Sequence, residues 1–261
     1  MQVLVDGHAV AYSDDGQGTP LVLLHAFAAD RTLWKPQVQA LSRRWRVIAV
    51  DLRGFGASGR TNGAAVDIDR YADDVAALLV DAKIGSAVVG GISLGGYVSL
   101  AIAQRHPHLL RGLLLANTRA GADTDAARAA RHDLAESLRQ QGSAAVAAFY
   151  GDKLYGPTMS ESARQTIRAM LLRQHPQGMI SALLGMAQRP DRSNFLGEIN
   201  VPTLIVSGTA DALIPSSESR FMHDRIHGSV FVDIPDAGHL SNMDKPDAFN
   251  RAVEQFMEKI A

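Results

Sequence analysis

The chain has 261 residues, of which 46% are hydrophobic and 20% charged, with a formal net charge of -1. That balance suits a globular protein with a closed core in one domain, or in one domain carrying a large insertion, and supplies neither a basic patch for nucleic acid nor an acidic tail. The absence of cysteine excludes a disulfide framework, a thiol nucleophile and thiolate metal sites.

The opening MQVLVDGHAVAYSDDG reads as two short alternating strands around Asp6-Gly7, a hairpin signal. It has no cationic stretch leading into an apolar segment, and no later run is long and apolar enough to span a bilayer, so a cytoplasmic protein without membrane contact is expected. The runs PLVLLH, WRVIAVD, SAVVGGI, LRGLLLANT, VPTLIVSG and SVFVDIP follow as strands apolar on both faces. Amphipathic segments lie between most of them: TLWKPQVQALSRR, IDRYADDVAALLVDAKI, GYVSLAIAQRH, SESRFMHDRI and DAFNRAVEQFMEKI. Such alternation predicts a parallel sheet covered by helices on both faces, with the hairpin as an antiparallel edge. It breaks once, from about residue 121 to 192, where text such as DAARAARHDLAESLRQQG is helical throughout. A helical lid inserted between two core strands is the expected reading.

In VVGGISLGGYVSLA the strand signal ends at Ile92 and the helix signal begins at about Leu94, leaving Ser93 on the bend. Gly91 and Gly95 complete G-x-S-x-G, where a sharp strand-to-helix turn brings backbone too close for Cβ atoms. The hydroxyl is pushed out at the C-terminal edge of the sheet, beside the amides of the following helix, where an oxyanion would be stabilised. A serine needs a base to take its proton, and the base needs an orienting acid. Asp211 follows the strand ending at Gly208, and His239 follows the strand ending at about Pro235. Ser, Asp, His, each after its own strand, is the chain order expected of a hydrolase triad on such a sheet.

The pieces HAFAADRTLW, DLRGFGASG, GISLGG, GTADALIP and DAGHLSNMDKP, spread from residue 25 to residue 246, resemble the α/β-hydrolase superfamily with a helical cap. With LLLANTRAG included, the likeness is to small bacterial carboxylesterases and the 3-oxoadipate enol-lactonase-like branch. The resemblance implies a mostly parallel eight-stranded sheet, a core of residues 1–120 and 194–261, and a cap of residues 121–193. It makes Ser93 the nucleophile, His239 the general base, Asp211 its partner, and the amides of Phe27 and Leu94 the oxyanion donors. It implies no cofactor and no metal, and a small-molecule ester or lactone cleaved through an acyl-enzyme. Ala26 departs from the glycine that many relatives carry after the first-loop histidine, which puts the orientation of the Phe27 amide in question. An enol-lactonase or C–C bond hydrolase with a dedicated substrate is the alternative, and a non-catalytic ligand-binding member of the fold is a further one. The oligomeric state stays open between monomer and homodimer.

Other signals compete for roles. GFGASG matches a dinucleotide fingerprint but does not follow the first strand, so a tight loop braced by Asp51 and Arg53 is expected instead. His223 and His227 stand four apart on a helix without a third ligand, so a helix face is expected there rather than a metal site. His25 is expected to hold the first loop by hydrogen bonds, and Asp236 and Asp244 are the lesser candidates for the acid. Phe149, Tyr150 and Tyr155 are candidates for the substrate pocket, with the lid's own small core as the competing role. Trp34 is a further candidate, against packing beneath the first loop. A charged substrate would need a cation in the lid, for which Arg128, Arg131 and Arg164 are available.

Overall fold

The computed structural model describes residues 1–260, and in it the Asp6-Gly7 hairpin forms as its sequence predicts. Asp6 and Gly7 take φ of 50° and 76°, the left-handed pair that matches the twist of a two-residue hairpin. They join β1 (Gln2–Val5) to β2 (His8–Asp15), which are antiparallel. The chain continues through β3 (Pro20–Leu24), α1 (Lys35–Leu41), β4 (Arg46–Val50), α2 (Ile68–Asp81), β5 (Ala87–Ile92), α3 (Leu94–Arg105) and β6 (Leu110–Ala116). Four helices follow without a strand: α4 (Asp125–Gln141), α5 (Ala144–Tyr150), α6 (Glu161–Arg173) and α7 (Pro176–Ala187). The sheet resumes with β7 (Thr203–Gly208), α8 (Ser216–His223), β8 (Val230–Ile234), α9 (Ser241–Asp244) and α10 (Pro246–Met257).

The strands form one eight-stranded sheet in the order β1-β2-β4-β3-β5-β6-β7-β8. The hairpin is its antiparallel edge, with β2 antiparallel to β4, and every pairing from β4 through β8 is parallel. Helices cover both faces, so every residue of β5 and β7 is buried. The outermost strand β8 departs from the expected double-sided burial: Val230 is exposed and its next three residues only partly covered. An edge strand has a neighbour on one side only, and its VFVDI text does not distinguish that position from a central one.

Helix α2 buries Ile68, Tyr71, Ala72, Val75, Leu78 and Leu79, the three-and-four spacing that puts a stripe on one face. Helix α3 is instead buried from Leu94 to Ala103, because it lies against the middle of the sheet. Within the inserted segment α4 packs on α7, and α5 on both α4 and α6. Thr124 and Ser160 cap α4 and α6 by accepting from the amides of Ala127 and Ala163 at 3.2 and 3.3 Å.

The segment is tied to the sheet at named points. Asp30, in the loop after β3, accepts from Arg173 Nε at 2.8 Å and from Gln174 Nε2 at 2.7 Å. Gln174 Oε1 in turn accepts from the amide of Gly56 at 3.1 Å. Among the described residues no helix is long and apolar enough to cross a membrane.

Candidate active site

Ser93 stands between β5 and α3 with φ of 56° and ψ of -115°. That conformation costs a side-chain-bearing residue about 1–3 kcal/mol and persists only where the surroundings over-determine it. They do so here. The Ser93 amide donates to Ala116 O at 3.0 Å, and its carbonyl accepts from Gly96 N at 2.9 Å and Thr118 Oγ1 at 2.9 Å. A Cβ on Gly91 would collide with the backbone of Gly95, and one on Gly95 with the backbone of Leu24 at the end of β3. Glycine at both positions is therefore what lets α3 start so close to the sheet.

Asp211 and His239 come from the loops after β7 and β8, and His239 Nδ1 lies 2.9 Å from Asp211 Oδ2. The same oxygen accepts from Asn117 Nδ2 at 2.9 Å, while Oδ1 accepts from the amides of Leu213 and Ile214 at 2.8 and 3.0 Å. Burial pushes the Asp211 carboxyl up, but the charge and hydrogen bond of His239, with the bonds from Ile214 and Asn117, outweigh it and hold the group below its ordinary value. Ser93 and His239 line one cavity of about 210 Å³.

Leu94 is the first residue of α3, so its amide has no acceptor within the helix. Phe27 lines the same cavity. Ala26 is absent from the residues with positive φ; the left-handed position of the first loop is Ala28, at φ of 60° and fully buried. His25 spans that loop, with Nε2 accepting from Leu52 N at 3.0 Å and Nδ1 donating to Ala26 O at 2.8 Å. Burial lowers the pKa of His25, which favours the neutral ring this pattern needs.

The inserted helices close the cavity with Leu134, Phe149, Tyr150, Leu171, Leu183 and Met186. Tyr150 packs on Phe27 with ring centroids 5.8 Å apart and on Phe149 at 5.1 Å. The other two pocket candidates lie elsewhere. Trp34 is fully buried beneath the first loop, 5.9 Å from the Phe249 ring, and Tyr155 lies under the Arg164 guanidinium, 5.2 Å from ring to cation, outside the cavity. Of the three candidate cations only Arg131 reaches the cavity; Arg128 pairs with Asp125 on the exposed face of α4. Arg131 is ion-paired to Asp123, which Arg189 also holds at 2.6 Å. Burial disfavours the Arg131 charge, but the bond to Asp123 more than restores it. The two arginines likewise outweigh the effect of burial on Asp123 and keep it ionised. Two guanidiniums thus share one carboxylate at the cavity wall.

The remaining signals fall into place around the site. Asp51 accepts from the amides of Arg31 and Ala57 at 2.7 and 2.8 Å, and Arg53 holds Asp74 at 2.6 and 2.7 Å. The GFGASG loop closes on itself from Gly54 N to Gly59 O at 3.0 Å rather than running into a helix. Asp244 Oδ2 accepts from Gly156 N and Gly238 N at 2.8 Å each, and Asp236 is exposed. Neither of these aspartates bonds the ring of His239. His223 bonds Ser229 Oγ at 2.8 Å, and among the described residues no three His, Asp or Glu side chains gather as a metal site. Sequence reasoning passed over Asn117, Arg119 and Asp123. The only signal for the first two was LLLANTRAG itself, which places Asn117 and Arg119 just beyond the C-terminal end of β6; Asp123 lies two residues past it.

Comparison with known proteins places the whole chain in one fold family. The family model for the alpha/beta hydrolase fold matches residues 19–246. A structure of a thermophilic esterase from Thermogutta terrifontis, with malate bound, has a TM-score of 0.96 at 36% identity, covering 100% of this chain and 99% of that one. The enol-lactonase from Burkholderia xenovorans has a TM-score of 0.91 at 28% identity, covering 99% and 100%. The 3-oxoadipate enol-lactonase 2 of Acinetobacter baylyi is 28% identical over 256 residues, 96% of this chain and 94% of that protein.

Proposed function

The chain belongs to the α/β-hydrolase family, and on that premise we propose that it is a serine hydrolase of carboxylic esters or lactones, working through an acyl-enzyme. His239 takes the proton of Ser93 as the hydroxyl oxygen attacks the substrate carbonyl. The amides of Leu94 and Phe27, with the N-terminal end of α3 behind Leu94, stabilise the oxyanion. Collapse of the tetrahedral intermediate breaks the carbon–oxygen bond, and His239 returns the proton to the leaving alcohol. Water deprotonated by His239 then attacks the acyl-enzyme, and the acid is released with Ser93 restored. The observation that carries this reading is the Asp211–His239 pair at 2.9 Å, whose histidine lines the cavity that Ser93 also lines.

The inserted residues 121–193 act in this proposal as a cap that walls the acyl site from water. A cavity of about 210 Å³ with mostly aliphatic and aromatic walls is small beside ordinary ligand pockets of about 300–1,000 Å³, so short acyl groups are the preferred substrates. A second reading, a lactonase whose substrate carries a carboxylate, is favoured by Arg131 at the cavity wall. The enol-lactonase relatives and the malate-bound esterase are in keeping with it. The test is hydrolysis of p-nitrophenyl acetate, butyrate and octanoate by the wild type beside Ser93→Ala, with covalent labelling by a small phosphonate. Turnover that falls with acyl length and vanishes in Ser93→Ala is expected; equal rates in the two proteins overturn the proposal.

A further inference from the structure

Three consecutive residues at the end of β6, Asn117-Thr118-Arg119, each reach a different part of the site. Thr118 Oγ1 donates to the carbonyl of Ser93 at 2.9 Å, and Arg119 Nη2 donates to Leu213 O, in the Asp211 loop, at 3.2 Å. Asn117 reaches furthest. Its Nδ2 donates to Asp211 Oδ2 at 2.9 Å and to Gly238 O, next to His239, at 3.4 Å, and its Oδ1 accepts from Ser241 Oγ at 2.6 Å. An ionised carboxylate only accepts, so the amide nitrogen must face Asp211, and the oxygen is left for the serine hydroxyl. Asn117 is fully buried, at φ of 43°.

We propose that Asn117 is a positioning residue of the hydrolytic site: its amide fixes the plane of the Asp211 carboxylate and joins it, through Ser241 and Gly238, to the loop that carries His239. This rests on the triad reading above. Without the amide, Oδ2 keeps only its bond to His239, and the carboxylate is otherwise held by the Leu213 and Ile214 amides on Oδ1 alone, which tether one oxygen and leave the other less firmly placed. The histidine then loses the alignment that its other nitrogen needs toward Ser93. Asn117 touches no reacting atom; it acts through Asp211 and His239.

A backbone role alone is separable from this one. Glycine is at home at positive φ, so Asn117→Gly keeps the turn and removes only the amide. The experiment measures kcat and KM of Asn117→Gly for p-nitrophenyl butyrate from pH 5 to pH 9, normalised to sites titrated with a small phosphonate. The expected result is a kcat per labelled site roughly ten- to a hundredfold below wild type with KM within about twofold, since a hydrogen bond to a charged group is lost.

A kcat per labelled site within about twofold of wild type, or a loss carried by KM, overturns the proposal. If the glycine variant is insoluble, Asn117→Asp decides, since it keeps the shape and replaces the donor by an acceptor. A tenfold or larger loss of kcat at pH 8 is then expected, and wild-type kcat there overturns the assignment. Failure of the triad reading looks different: the wild type is not labelled at Ser93, or Ser93→Ala turns over as fast as wild type.

Discussion

His239 Nδ1 donates to Asp211 Oδ2 across 2.9 Å, although the two residues lie 28 positions apart on loops after different strands. Both side chains are almost wholly enclosed, with 4% and 0% of their surface exposed. The carboxylate accepts on both oxygens, so the ring proton sits on Nδ1 and the Nε2 lone pair is left for the cavity side. One hydrogen bond therefore selects the tautomer a general base requires.

Asp211→Asn removes that selection, because an amide can present a donor to Nδ1 and turn the tautomer over. We expect a loss of kcat of roughly ten-thousandfold with the protein still folded, measured on p-nitrophenyl butyrate beside a circular dichroism melt. A loss of less than about tenfold sinks the proposed role of Asp211.

The φ of 56° at Ser93 makes opposite predictions for activity and stability. Ser93→Gly removes the hydroxyl and relieves the left-handed backbone, so esterase activity is abolished while Tm rises by a few degrees, about 1 kcal/mol. Differential scanning calorimetry reads it. An unchanged or lower Tm shows that the elbow stores no strain.

Arg131 faces the cavity while Asp123 stays paired with Arg189, so Arg131→Met leaves no carboxylate uncompensated and is expected to fold. Under the carboxylate-substrate reading, kcat/KM falls roughly tenfold or more for an aryl ester with a free terminal carboxylate. A neutral ester of the same length changes little. Equal losses on the two substrates count against that reading and leave the simple esterase in place.

Asp30 predicts how stability responds to acid. Burial pushes its carboxyl up, but hydrogen bonds from Thr32, the charge of Arg173 and the bond from Gln174 outweigh it, leaving the folded value below the ordinary one. Its contribution is therefore full above the ordinary aspartate value of about 3.9 and is lost as pH falls through the lower folded value. Asp30→Asn should lower Tm at pH 7 and flatten the fall of Tm below pH 4. Parallel curves for mutant and wild type would show that the joint between the first loop and Arg173-Gln174 carries no pH-dependent stability.

Much of this molecule was legible in the residues because the signals are local. The hairpin at Asp6-Gly7, the alternation of strand and helix, and the glycine-flanked bend at Ser93 each depend on residues a few positions apart, whose spacing determines which face of an element is buried. Asp211 and His239 were legible for a related reason: the ends of parallel strands share one edge of the sheet, so loops after successive strands converge there. What local spacing cannot report is which distant side chain faces which. Arg128 and Arg131 stand three apart on α4, yet only Arg131 enters the cavity; Tyr150 and Tyr155 stand five apart, yet only Tyr150 packs on Phe27. Those outcomes follow from how the inserted helices seat on the sheet, through contacts such as Gln174 to Asp30 across 144 positions. Asn117 belongs to the same class. Its partners Asp211 and Ser241 lie 94 and 124 residues further along the chain, and only the closed sheet brings them within a hydrogen bond.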